Sequence, residues 1–158
     1  MAQNQSFALH SVLESNKLNE INYADWIRNL RIVLRAANKE NVLDNPLPEE
    51  PAADAPATER NAYMRVVDKD HEVSCLMLAC MEPKLQMQIE NNHAAHDMIV
   101  ALWDMFQTQA RTERFNVSKA FAETKLAEGA SVGPHVIKMV GYTEVGEAGL
   151  PTWPRVGH

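Results

Sequence analysis

The chain is predicted to be all-α on three observations. Apolar residues recur at three- and four-residue intervals through most of its length, no stretch alternates apolar and polar long enough to make a strand, and clusters of Pro and Gly cut the periodic runs into about five helices. At 158 residues, 46% of them hydrophobic, the chain can bury one principal core, so a compact multi-helix domain with irregular termini is expected. Three segments follow: an N-terminal arm over 1–17, a helical domain over 18–142, and an irregular tail over 143–158.

The arm holds Phe7, Leu9, Val12 and Leu13 among Ser, Asn and Gln, a spacing too uneven for a helix of its own. The best helix starts after Asn22, a favourable N-cap, with Asp25 placed to reach back to the free amides of the first turn. Tyr23, Trp26, Ile27, Leu30, Val33, Leu34 and Ala37 form its inner face, and Arg28, Arg31 and Arg35 share a ridge on the polar side. That ridge reads either as a solvated charged face or as a site for phosphate or an acidic partner.

From Asp44 to Ala57 the composition shifts to Pro and acid without a basic residue, which predicts an extended solvated loop. Helicity resumes behind Thr58 as N-cap and runs to Met81, with Tyr63, Val66, Val67, Val73, Leu76, Met77 and Cys80 inward and a bend expected near Asp70. Pro83 suits the first position of a short helix carrying Leu85 and Ile89. After a turn at Asn91-Asn92-His93, Met98, Ile99, Leu102, Met105 and Phe106 mark a third long helix, with Trp103 as a further anchor. This helix either continues or bends at Arg111-Thr112-Glu113-Arg114, before Phe115, Ala120, Phe121 and Leu126 lead to a C-cap at Gly129. Gly133-Pro134 opens a last short helix, and the Gly and Pro density beyond Tyr142 predicts irregular chain. The core anchors named by this reading are Tyr23, Trp26, Leu30, Leu34, Leu76 and Phe106.

No catalytic constellation emerges from the residues. His71 and Cys75 at spacing four supply two zinc ligands where a structural site needs four, and the remaining histidines form no set with them. Neither a Gly-x-Ser-x-Gly elbow nor a Gly-rich phosphate loop occurs, so the chain is expected to be no enzyme, with no cofactor, metal or small-molecule substrate. Cys75 and Cys80 would be separated by roughly 140° around an unbroken helix, which disfavours a disulfide between them. There is no leader-like segment and no window of roughly 20 apolar residues, so a cytoplasmic protein is expected, the nucleus being equally compatible, with no membrane partner. A net charge of -6 opposes bulk nucleic-acid binding and leaves room for a local basic stripe.

One run resembles a known family. Leu18-Asn19-Glu20-Ile21-Asn22-Tyr23-Ala24-Asp25-Trp26, continued by Asn29-Leu30-Arg31-Ile32-Val33-Leu34-Arg35, is similar to the start of the Gag polyprotein of copia-type LTR retrotransposons, usually Leu-Asn-Gly-x-Asn-Tyr-x-x-Trp followed by an amphipathic helix. Similar wording returns in the same order at Val42-Leu43-Asp44-x-Pro46-Leu47-Pro48, Glu72 to Ala79, Ala110 to Phe115 and Ala127 to His135. The resemblance covers about Phe7 to Tyr142 and implies a capsid-like helical domain that self-associates into particles around element RNA, without catalysis. Two departures stand out. Glu20 replaces the usual Gly, which matters if that position needs a positive φ. Family members also continue past a Gly-Tyr like Gly141-Tyr142 into the rest of the capsid region, a zinc knuckle and enzyme domains, so a truncated element copy or a host gene derived from one is expected.

The functional expectation is a self-associating, capsid-type structural module, with homo-oligomer partners and element RNA only indirectly. Arg28, Arg31, Arg35, Arg111 and Arg114 are the candidates for a charged interface. The alternatives are an RNA-binding protein that uses this Arg-rich face, or a non-functional relic of an element.

Overall fold

In the computed structural model of the chain, the structure describes residues 2–124 and 132–147. Seven helices lie there: α1 Ala2–Ser15, α2 Tyr23–Ala36, α3 Asn41–Asp44, α4 Ala57–Ala79, α5 Pro83–Ile89, α6 Ala95–Glu123 and α7 Val132–Glu147. No strand occurs among the described residues, and the one ladder contact is a parallel bridge between Leu18 and Met81. The class is therefore all-α, with two helices more than the expected five.

The extra helices are α1 and the single turn α3. The segment read as an irregular arm is helical over Ala2–Ser15, and Leu13, fully buried, is the anchor that tertiary packing supplies where local periodicity is weak. The chain divides into two compact units, the first over 1–103 and the second over 104–155, with the boundary inside α6.

The first unit holds the core. Leu13, Leu18, Tyr23, Trp26, Leu30, Val33, Leu34, Leu43, Val73, Met77, Met81, Leu85, Ile89, Met98, Ile99 and Leu102 are all buried. The α2 face carries six of its predicted residues inward, Tyr23, Trp26, Ile27, Leu30, Val33 and Leu34, because their spacing keeps them on one side of the helix. α2 ends in a Schellman arrangement: Lys39 N–H donates to the Leu34 carbonyl (2.8 Å) and Asn38 N–H to that of Arg35 (3.1 Å). Asn38, at φ 56°, takes the left-handed conformation this requires, as asparagine tolerates better than other non-glycine residues.

Several expectations change. α4 runs without a break from Ala57 to Ala79, with Pro56 rather than Thr58 at its N-cap. Its polar middle does not interrupt the helix, and Asp70 there accepts the Ala95 N–H at the start of α6. Only its C-terminal half is buried: Val66 is exposed, Tyr63, Val67 and Leu76 are half-buried, and Asp70, Val73, Ser74 and Met77 take the inner positions. Leu76 is thus a weaker anchor than its periodic position suggests, and Trp103 likewise stays partly exposed.

α5 begins at Pro83 as predicted. α6 runs straight through Arg111 and Arg114 to Glu123. In the second unit Phe106 is buried, whereas Phe115, Phe121, Val132, Val136, Ile137 and Val140 are exposed. α7 continues past Tyr142 to Glu147, five residues into the predicted irregular tail. The predicted C-cap Gly129 and the Gly- and Pro-rich end after Glu147 lie outside the described residues.

Candidate interaction surface

The residues that carry the family resemblance build one local assembly around the C-terminal end of α4. Asn19 Oδ1 accepts the N–H groups of Ile21 (2.9 Å) and Asn22 (3.1 Å), an Asx-type turn that bends the chain into α2. Asn22 does not cap α2 with its side chain. It turns back instead, accepting the Asn19 N–H at Oδ1 (2.8 Å) and donating Nδ2–H to the Lys17 carbonyl (2.9 Å).

These bonds set Leu18 against the junction of α4 and α5. The Cys80 carbonyl, left without an intrahelical donor at the helix end, accepts both Leu18 N–H (2.8 Å) and Trp26 Nε1–H (3.2 Å), while Glu82 N–H returns to the Leu18 carbonyl (3.0 Å). Burial pushes the Tyr23 phenol far above its usual range despite the nearby Arg31. Glu20 does not adopt a positive φ, and its carboxylate pairs with Lys84 at the start of α5. A non-glycine residue therefore fits this turn without left-handed strain.

The α2 arginine ridge is occupied by this chain's own carboxylates. Arg28 pairs with Asp25 (3.0 Å), which is consequently not a first-turn cap, and both are well exposed. Arg31 reaches Asp44 (2.9 Å) and Glu40 (3.4 Å), and Arg35 engages Glu40 through Nε (2.9 Å) and a second nitrogen (3.1 Å). The arginines straddle the α2–α3 turn and hold it closed.

Burial works against the Arg31 charge, but Asp44 and Glu40 outweigh it and hold the guanidinium above its ordinary value. The Arg35 hydrogen bond holds the Glu40 carboxyl below its ordinary range, and Lys39 does the same for Glu72 on α4. Arg111 and Arg114 differ: they are exposed on α6 in the second unit and form no ion pair among the described residues. Arg28, Arg31 and Arg35 belong to the first unit, where each pairs with a carboxylate, and Arg111 and Arg114 belong to the second.

His71 Nε2 and Cys75 Sγ lie 3.8 Å apart on the exposed side of α4. Among the described residues no three His, Cys, Asp or Glu side chains gather as a cation site, and none of the helices is long and apolar enough to cross a membrane. Cys80 is buried, and burial, with Glu14 adding, pushes its thiol above the usual value, away from the reactive thiolate. A shallow groove of about 460 Å³ runs between the acidic loop at Glu50–Ala53 and the first turns of α4, with Arg60 and Tyr63 on its helical side.

No family model, curated protein or solved structure matches the chain.

Sequence reasoning missed two polar contacts that position α6. The Ala95 N–H donates to Asp70 Oδ1 (3.1 Å), and His96 Nδ1–H donates to the Leu43 carbonyl (2.8 Å). Their signals were present but ambiguous, since an Asp inside a helical run and a His beside a turn both read as surface residues.

Proposed function

We propose that the chain is a capsid-type helical module of the copia-like Gag kind, whose work is structural and whose partner is a second copy of itself. The observation that carries this reading is the set of large apolar side chains that stand exposed among the described residues. Ile21 is 90% exposed and Met87 71% exposed in the first unit, and Phe115 is 67% and Ile137 74% exposed in the second. Single exposed apolar residues are ordinary, but several large ones on so small a protein are the surface that association would remove from water. The resemblance supports the same reading, because Leu18, Asn19, Asn22 and Trp26, which match the family's Leu-Asn-Gly-x-Asn-Tyr-x-x-Trp at all but the Gly position, act together in the joint at Cys80 and Glu82.

Mass measured by light scattering across a wide concentration range tests it. Mass is expected to rise above that of one chain with concentration, and the rise is expected to weaken when Ile21, Met87 or Phe115 is changed to Ser. A single-chain mass at every concentration would end the proposal.

A second reading, binding of RNA, keeps one specific support: Arg111 and Arg114 are exposed cations without a carboxylate partner among the described residues. Arg28, Arg31 and Arg35 contribute little to it, since Asp25, Glu40 and Asp44 already answer their charge.

A further inference from the structure

α4 presents two metal-ligating side chains to solvent. His71 and Cys75 are both exposed and one helical turn apart, and the imidazole Nε2 lies 3.8 Å from the Cys75 Sγ. A tetrahedral zinc ion, at about 2.0 Å from nitrogen and about 2.3 Å from sulfur, holds two such ligands about 3.5 Å apart. A small turn of either side chain therefore brings both onto one ion. The other cysteine, Cys80, is buried, and His96 is committed to the Leu43 carbonyl. Among the described residues no third His, Cys, Asp or Glu side chain joins the pair.

We propose that His71 and Cys75 are one half of a two-Cys, two-His site for zinc, completed by the same two residues of a second copy of this chain. One chain supplies only two of the four ligands that a closed zinc site takes. A twofold contact between copies repeats the same pair across its axis, so a single ion on that axis gains two sulfurs and two nitrogens. On binding, each thiol gives its proton to solvent and each imidazole ligates through Nε2 with its own proton on Nδ1. The two thiolates then balance the charge of the ion.

The surroundings of the pair favour this arrangement. Asp68, exposed about one turn before His71, and Glu72, which pairs with Lys39, make this side of α4 acidic, and each chain carries a net charge of -6. Two such faces repel each other in water, and a divalent cation held between them removes part of that repulsion. Ala79, one turn beyond Cys75, is exposed and short, which lets a second helix approach closely. Ile21, Met87 and Phe115 take no part in the site. The zinc link is therefore independent of the apolar association proposed above.

The test uses the full chain, stripped of metal with a chelator and kept reduced with a phosphine. Zinc ion is added while light scattering follows the mass, and cobalt(II) is titrated in parallel as the spectroscopic probe. The mass is expected to double by about half an equivalent of zinc, and the cobalt spectrum to show a tetrahedral ion with thiolate charge transfer, saturating at one ion per two chains. Cys75→Ser and His71→Ala are each expected to abolish both responses, whereas His93→Ala, at an exposed turn, should keep them. An unchanged mass in zinc, saturation at one ion per chain, an octahedral cobalt spectrum, or a response that survives Cys75→Ser would overturn the site. Association already present in the chelator belongs to the apolar surface. In that case the cobalt ratio and spectrum of the unmodified chain decide, as they do if a variant fails to fold, so the two readings fail separately.

Discussion

Asn19 and Asn22 show how two side chains convert a short sequence motif into a joint. Each satisfies backbone groups within a five-residue span, so that Leu18 can bond across to Cys80 and Glu82, and Trp26 can seal the Cys80 carbonyl. Asn19→Ala removes the acceptor for two amides and is expected to cost about 1–3 kcal/mol in urea unfolding, because both donors must find water or go unpaired. Asn22→Asp separates the two roles of that residue: it keeps the acceptor for the Asn19 N–H and loses the donor to the Lys17 carbonyl, so its cost should be the smaller. Glu20→Gly should cost up to about 1 kcal/mol, since Glu20 is not in the left-handed region, so glycine only adds freedom to the unfolded chain, and the pair with Lys84 is exposed. Asn38 is the opposite case. At φ 56° it carries the strain that Glu20 does not, and Asn38→Gly is expected to stabilise by up to about 1 kcal/mol.

At the scale of elements, α2 is the one whose ridge decides more about folding than about binding. Arg31 lies half inside the α2–α3 turn between Glu40 and Asp44, whereas Arg28 stands in water with Asp25. Arg31→Ala should therefore lower the urea midpoint clearly, and Arg28→Ala should leave it within error. Since Glu40 is held below its ordinary value, its share of this stability is present above its unfolded value and is lost as pH falls through the folded one; Arg35→Ala should reduce that acid sensitivity. Element by element, the legible parts were those with a local cause: the apolar face of α2, Pro83 at the head of α5, and the turn before α6. The illegible parts had distant causes. α1 is helical with Leu13 buried in the core, α4 continues unbroken where Asp70 meets Ala95, and Arg31 and Arg35 engage carboxylates nine, thirteen and five residues away. The basic ridge was readable, but not its occupation, because the fold rather than the helix period brings Glu40 and Asp44 to it.

For the molecule as a whole, the two readings of its surface respond oppositely to salt. Burial of Ile21, Met87 or Phe115 between copies is an apolar process, on which simple salt acts weakly or favourably, and with a net charge of -6 per chain, screening also reduces the mutual repulsion of copies. Association should hold or strengthen as ionic strength rises. RNA binding through Arg111 and Arg114 should do the reverse: with two phosphates neutralised on a single strand, the logarithm of affinity should fall with the logarithm of salt at a slope of about -1.4. A ridge that still offered Arg28, Arg31 and Arg35 would add three phosphates and steepen the slope to about -3.5, so the slope itself counts the arginines in use. Fluorescence anisotropy with a labelled single-stranded RNA, run beside light scattering over the same salt series, separates the cases in one set of samples. A flat or rising mass with negligible RNA binding supports the structural module. A mass that collapses with salt while RNA affinity follows a slope near -1.4, and loss of that affinity in the Arg111→Glu, Arg114→Glu double variant, would move the function to the exposed arginines of α6.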